Sequence, residues 1–189
     1  MPMRYFKLSE DVYVPGRWVL GTPIGSRGQE LGSPVFLQGE RVSVDGPIRI
    51  PLYQPGKPLD YSHADAGTVP VVHAKVGDIL NRMASKDVQL FPVEVETQRE
   101  PYFLVNVIHT VKCIDDQASE EVSYWTEEDG LPEKVGNYFS VAGMRIDPTQ
   151  VGGAKMFRTW GWNIALIVSE EIKTALEHIG ATGMKFKEV

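Results

Sequence analysis

Few side chains in this 189-residue sequence have the chemistry of a reactive centre, and their spacing decides little between the reactions open to them. Cys113 is the only cysteine, so no internal disulfide can form. As a thiolate it would be a nucleophile, and a partner histidine could activate it. Its neighbours, Val111-Lys112-Cys113-Ile114, read instead as the end of a buried strand, where a free cysteine behaves as a small apolar side chain. Imidazole and carboxylate suit Zn²⁺ or Fe²⁺, so His63, Asp65 and His73 are the one conceivable metal group. Their spacing matches no established ligand motif, and the expectation is no metal and no cofactor. His109 falls inside an apolar strand-like run and reads as structural. A Cys113–histidine dyad would need His63, His73 or His178 brought close by the fold.

Nucleotide and hydrolase signals are missing. Gly25-Ser26-Arg27-Gly28 lacks the Gly-Lys-Ser/Thr that completes a phosphate loop, and no Gly-x-Gly-x-x-Gly joins a strand to a helix. There is no Gly-x-Ser-x-Gly elbow and no His-Glu-x-x-His helix. No catalytic residue is assigned.

Groups suited to recognition are better represented. The formal charge is −6, yet Asp115, Asp116, Glu120, Glu121, Glu127, Glu128, Asp129 and Glu133 fall in one stretch free of Lys and Arg, leaving the rest net positive. Such a block repels nucleic acid and attracts a basic protein surface. Tyr124 and Trp125 lie inside it, and an aromatic pair amid carboxylates is poorly explained by a merely solvated loop. Trp160-Gly161-Trp162, with Arg158 nearby, forms a second aromatic group of the kind that anchors interfaces. It reads equally well as packing across a hairpin.

The elements that must position these residues follow from periodicity. Nine of the thirteen prolines precede Val71, which argues against long helices there. Met3–Leu8 and Arg41–Val44 are strand-like, Ile48–Tyr53 is extended, and 21–32 is a glycine-rich loop. Val76, Ile79, Leu80 and Met83 share one helix face, predicting a short helix over 76–85. Val88–Val95 contains Pro92 and is expected at a sheet edge or as two pieces. Tyr102–Cys113 reads as one long strand, central and largely buried. The acidic stretch looks irregular. Tyr138–Ile146 is a further strand, and Met156–Trp160 and Asn163–Val168 form a hairpin. Ser169 is placed to cap a helix whose buried face is Ile172, Ala175, Leu176 and Ile179, with Gly180 ending it and a last strand at 183–187. The expected fold is α+β, a mostly antiparallel sheet covered on one face by short helices. Residues 1–70 would form a Pro/Gly-rich part packed on an α+β domain at 71–189.

Several of these segments occur in a familiar order. Tyr102–Ile108 followed by Asp115, then Met156-Phe157-Arg158, Leu166-Ile167-Val168-Ser169 and Leu176–Phe186, resemble an immunity-protein family of bacterial polymorphic toxin systems. That family was first catalogued as a domain of unknown function and is frequent in myxobacteria. The resemblance covers about 71–189, with a looser match before it. It implies an α+β domain, encoded beside a toxin that it binds and neutralises in the cytoplasm. No apolar run approaches the ~20 residues that cross a bilayer, and no secretory h-region is evident, so no membrane partner is expected. A homodimer through an exposed edge strand stays open. Two other readings stand beside immunity: an enzyme with a site assembled from distant His, Asp and Cys residues, and a regulatory binding domain unrelated to toxins.

Overall fold

A computed structural model describes residues 1–189. In chain order the strands are β1 (Tyr5–Glu10), β2 (Val19–Leu20), β3 (Ile48–Ile50), β4 (Leu52–Gln54), β5 (Tyr61–Ala64), β6 (Val69–His73), β7 (Val88–Val95), β8 (Tyr102–Val107), β9 (Thr110–Val111), β10 (Glu121–Tyr124), β11 (Tyr138–Ala142), β12 (Met156–Thr159), β13 (Trp162–Ser169) and β14 (Met184–Glu188). The helices are α1 (Ser33–Phe36), α2 (Ala74–Met83) and α3 (Glu170–His178).

Two five-stranded sheets organise the chain. Sheet I runs β14-β1-β13-β12-β9 and sheet II runs β3-β7-β8-β6-β5. The α+β expectation holds, but the sheets are mixed rather than purely antiparallel, because β9 pairs parallel to β12 and β3 parallel to β7. β1 sits between β13 and β14, with Phe6 opposite Val168 and Leu8 opposite Phe186. The proline-rich third thus supplies an internal strand to sheet I, and also β3, β5 and part of β6 to sheet II.

Alternation along the strands builds three apolar layers. Phe6, Leu8, Met156, Leu166 and Val168 of sheet I meet Val72, Val105 and Val107 of sheet II, with Val76, Ile79 and Leu80 of α2 and Ile172 and Leu176 of α3 completing that layer. Val69, Val71, Leu104, Tyr102, Val93 and Val95 face the other way, onto Trp18, Leu20 and Phe36. Tyr5, Phe157, Ala165 and Ile167 face Cys113, Met144, Ile146 and Val151. Both sheets are therefore covered on both faces, not on one. Proline-rich turns of the first third and the excursion 113–151 provide the outer covers.

Local predictions hold where the pattern was strong. α3 is capped by Ser169, whose hydroxyl accepts the Ile172 N–H at 3.5 Å, and Gly180 adopts φ +64° beyond it. β8 is the third of five strands and nearly wholly buried. Others need correction. Tyr102–Cys113 is not one strand: the chain leaves sheet II after Val107 and enters sheet I at Thr110, so Ile108-His109 is the crossing. β7 is continuous through Pro92 and internal over its second half. Pro92 is accommodated because pairing with β3 begins only at Val93. Before it, the Gln89 amide takes both Val42 backbone groups, so Arg41–Val44 is a loop held side-on rather than a strand. The acidic stretch is irregular only in part: Glu121–Tyr124 within it is β10, which pairs antiparallel with β11, and the remainder is turns and short 3-10 segments.

Candidate functional site: an acidic aromatic hairpin

The β10–β11 ribbon grows out of a sequence of local commitments. Asp115 accepts the Gln117 and Ala118 N–H groups at 3.0 Å each, making the turn that enters β10. Asp116 accepts the hydroxyls of Tyr124 and Tyr138, the latter at 2.6 Å, and the two rings stack with centroids 4.8 Å apart. Burial first, then hydrogen bonding to Asp116, raises the Tyr138 phenol well above its ordinary value, so it stays a donor. Asp129 forms a reciprocal cap with Thr126 at the ribbon tip. The ribbon is fastened to sheet I at one backbone bond, from the Tyr138 N–H to the Gly161 carbonyl at 3.0 Å. Gly161 needs φ +76° for the tight β12–β13 turn, and its missing side chain lets the Tyr138 ring approach.

These contacts sort the residues singled out in the sequence. Asp115, Asp116 and Asp129 hold the ribbon together. Arg158 is corrected outright: it is 1 % exposed and cannot anchor a surface contact. Its guanidinium donates to the carbonyls of Asn163 and Thr68, at 3.0 and 3.1 Å, bridging the two sheets with no carboxylate partner. Trp162 packs half-buried on the third apolar layer. Trp160 points the other way, 40 % exposed, with the Lys112 ammonium 4.6 Å from its ring centroid. Alternation fails between the two tryptophans because Gly161 turns the chain.

Glu120, Glu121, Glu127 and Glu128 stand exposed, as does Glu133, and none of the five joins an ion pair. Every ion pair in the molecule lies elsewhere. Among these free carboxylates sit Tyr124 at 40 % exposure and half-buried Trp125, the latter edge-on to Phe139 at 4.7 Å. Phe139 is 51 % exposed and was not singled out in the sequence. Strand alternation after buried Tyr138 was the available signal. A cleft of about 230 Å³ opens where the ribbon meets the β12–β13 turn, lined by Leu37, Gln38, Thr110, Asn137, Trp160 and Asn163 among others.

The residues with catalytic or ligating chemistry do not converge. His63 Nδ1–H donates to the Gly67 carbonyl at 2.9 Å, so its Nε2 accepts the Tyr61 hydroxyl at 2.7 Å. Asp65 accepts the Ser33 N–H, and His73 accepts the Lys75 N–H as the α2 cap while its other nitrogen faces Glu100. No three His, Cys, Asp or Glu side chains come together as a metal group. Cys113 is 2 % exposed, and burial, with a smaller effect from Asp147, pushes its thiol up to about 12. The sequence did not foresee one His–carboxylate pair. His109 Nε2 lies 3.1 Å from Asp87 Oδ1 and 3.0 Å from the Lys86 carbonyl. The other Asp87 oxygen accepts the Lys155 and Met156 N–H groups, so the pair pins the sheet crossing to the start of β12. A cleft of about 500 Å³ beside β3 and β7 is lined by Arg49, Glu94, Glu96, Gln98 and apolar groups, with no thiol, hydroxyl or imidazole side chain.

A family model described as an immunity protein family, Imm11, matches residues 4–189. The chain belongs to this family. The match takes in β1 and the proline-rich third from residue 4, where the sequence resemblance was only loose, and it spans the hairpin. No curated protein matches the chain. No helix is long and apolar enough to cross a membrane.

Proposed function

We propose that the protein neutralises a cognate toxin by binding it through the β10–β11 ribbon and the adjoining Trp160 turn. Membership of an immunity family supports the toxin-neutralising role. The observation that carries the choice of surface is the set of five unpaired, exposed glutamates around Tyr124, Trp125, Phe139 and Trp160. Aromatic anchors supply contact area, and the excess of carboxylates over the two lysines of this face, Lys112 and Lys134, speeds encounter with a basic surface. The action is occlusion rather than catalysis. The toxin is encoded by an adjacent gene, and the complex forms in the bacterial cytoplasm.

The test is co-expression with the product of the adjacent gene, followed by pull-down and a survival assay. Replacing Glu120, Glu121, Glu127 and Glu128 together by Lys should leave the thermal midpoint nearly unchanged, because exposed unpaired charges contribute little to folding. It should slow association and flatten its salt dependence. Unchanged association in the reversed variant would move the interface off the ribbon. No complex and no protection with the unaltered chain would reject the immunity reading itself.

A further inference from the structure

The ribbon has an edge without a hydrogen-bonded neighbour in the molecule. Glu120 N–H donates to the Gly143 carbonyl, which places residue 122 opposite 141 as the next hydrogen-bonded pair. Pairing in an antiparallel ladder alternates, so Glu121 and Ser123, opposite Ala142 and Ser140, turn their N–H and C=O groups away from β11. The Ser123 and Ser140 hydroxyls bond at 2.7 Å, the close approach expected of a pair without backbone bonds. No backbone or side-chain group accepts from or donates to the outward groups of Glu121 and Ser123.

Several other edges are closed or guarded; Ser140 and Ala142 on the outer side of β11 are left unpaired by the same alternation, but they lack the glutamates that flank β10. The outer side of β3 is bridged at Arg49 by Ile24, with bonds of 2.8 and 2.9 Å. Tyr61 of β5 donates to the Thr182 carbonyl. β14 is open but carries Lys185 and Lys187, the charged side chains by which edge strands resist pairing. β10, Glu-Val-Ser-Tyr, has neither Lys nor Pro. Its only formal charge is Glu121, and Glu120 and Glu127 flank it.

We propose that β10 receives an extended, basic segment of the bound toxin as an added strand, its main chain pairing with Glu121 and Ser123. This rests on the reading of the ribbon as the toxin-binding face. Strand addition derives affinity from main-chain bonds and specificity from alternate side chains. Lys or Arg on the incoming strand would lie against Glu120, Glu121 and Glu127, none of which joins an ion pair within this chain. A third strand also completes a two-stranded ribbon, an arrangement weak on its own in water.

The decisive variant is Ser123→Pro. It removes an N–H that the hairpin does not use, at an edge position where proline is tolerated. Ser123→Ala is its control, losing only the hydroxyl pair. With the purified, catalytically inactivated product of the adjacent gene as probe, Ser123→Pro should weaken binding about tenfold or more, and Ser123→Ala less than about twofold. Equal affinities for the two variants overturn strand addition while leaving the immunity reading standing. Hydrogen exchange on the unaltered complex provides a measurement independent of any variant. The Glu121 and Ser123 amides should slow markedly on binding, and exchange unchanged at both overturns the proposal. Concentration-dependent protection of the same amides in the chain alone would assign the edge to a second copy and also overturn it. No complex with the unaltered chain removes the immunity reading and the inference together.

Discussion

Acidification should destabilise this protein in part through one histidine. His63 is held neutral in the β5–β6 hairpin because burial disfavours its charged form and Arg158 adds repulsion, outweighing the Gly67 hydrogen bond that favours charge. Its pKa is lowered from 6.5 to about 4. The unfolded chain therefore takes up a proton that the folded chain refuses. This contribution to stability is complete above the unfolded value of 6.5 and is lost as the pH falls towards about 4. The gap amounts to about 3 kcal/mol in full, and about 2.5 kcal/mol of it is lost by pH 4.5. Geometry agrees with the sign. Protonated Nε2 becomes a donor facing the Tyr61 hydroxyl, and a second cation appears beside buried Arg158. His63→Asn retains a donor for the Gly67 carbonyl and leaves the Tyr61 hydroxyl without its acceptor, costing about 1–2 kcal/mol at pH 7.5. Urea unfolding followed by circular dichroism across pH 7.5 to 4.5 should then give a flatter profile for the variant, the two curves crossing before the acid end. Asp60, Asp147 and Glu170, all lowered by hydrogen bonds or ion pairing, weaken both proteins alike and cancel in the difference. Equal losses of stability in the two proteins would refute the reasoning.

Two further perturbations probe the frame around the ribbon. Gly161→Ala must place a side chain at φ +76° and 3.1 Å from the Tyr138 ring, so it should cost about 1–2 kcal/mol in chemical denaturation and raise hydrogen exchange at the Tyr138 amide. A wild-type midpoint would mean the turn does not fasten the ribbon. Cys113 should resist a thiol reagent such as dithionitrobenzoate in the native protein at neutral pH, reacting at the rate of unfolding, since burial keeps it a protonated thiol. Rapid native labelling would contradict the buried placement.

Much of the fold was legible where one local cause acted. Ser169, Glu170 and Glu171 announce the start of α3 whatever surrounds them, because a cap and a helix dipole are satisfied within one turn. The apolar run of Tyr102–Val107 required a central strand, since no exposed strand tolerates it. The acidic stretch misled because its charge reads as solvation. Its order comes from Tyr124 and Tyr138, fourteen residues apart and stacked over Asp116, a pairing that exists only once β11 has returned.

Of the candidate site, the sequence by itself determined the inventory: a local excess of carboxylate, two aromatic groups, one thiol and four scattered histidines. Side-chain chemistry and spacing are enough for that. Tertiary structure alone decided which of these groups reach solvent. Arg158 and Trp160 are two residues apart, yet one bridges the sheets in the interior and the other stands at the surface, because the register shifts after Arg158 and β12 ends at Thr159, leaving Trp160 in the turn. The open edge of β10 is also a tertiary fact. A strand's hydrogen-bonding partners lie across space, and four residues of sequence cannot state that one side of them has been left unpaired.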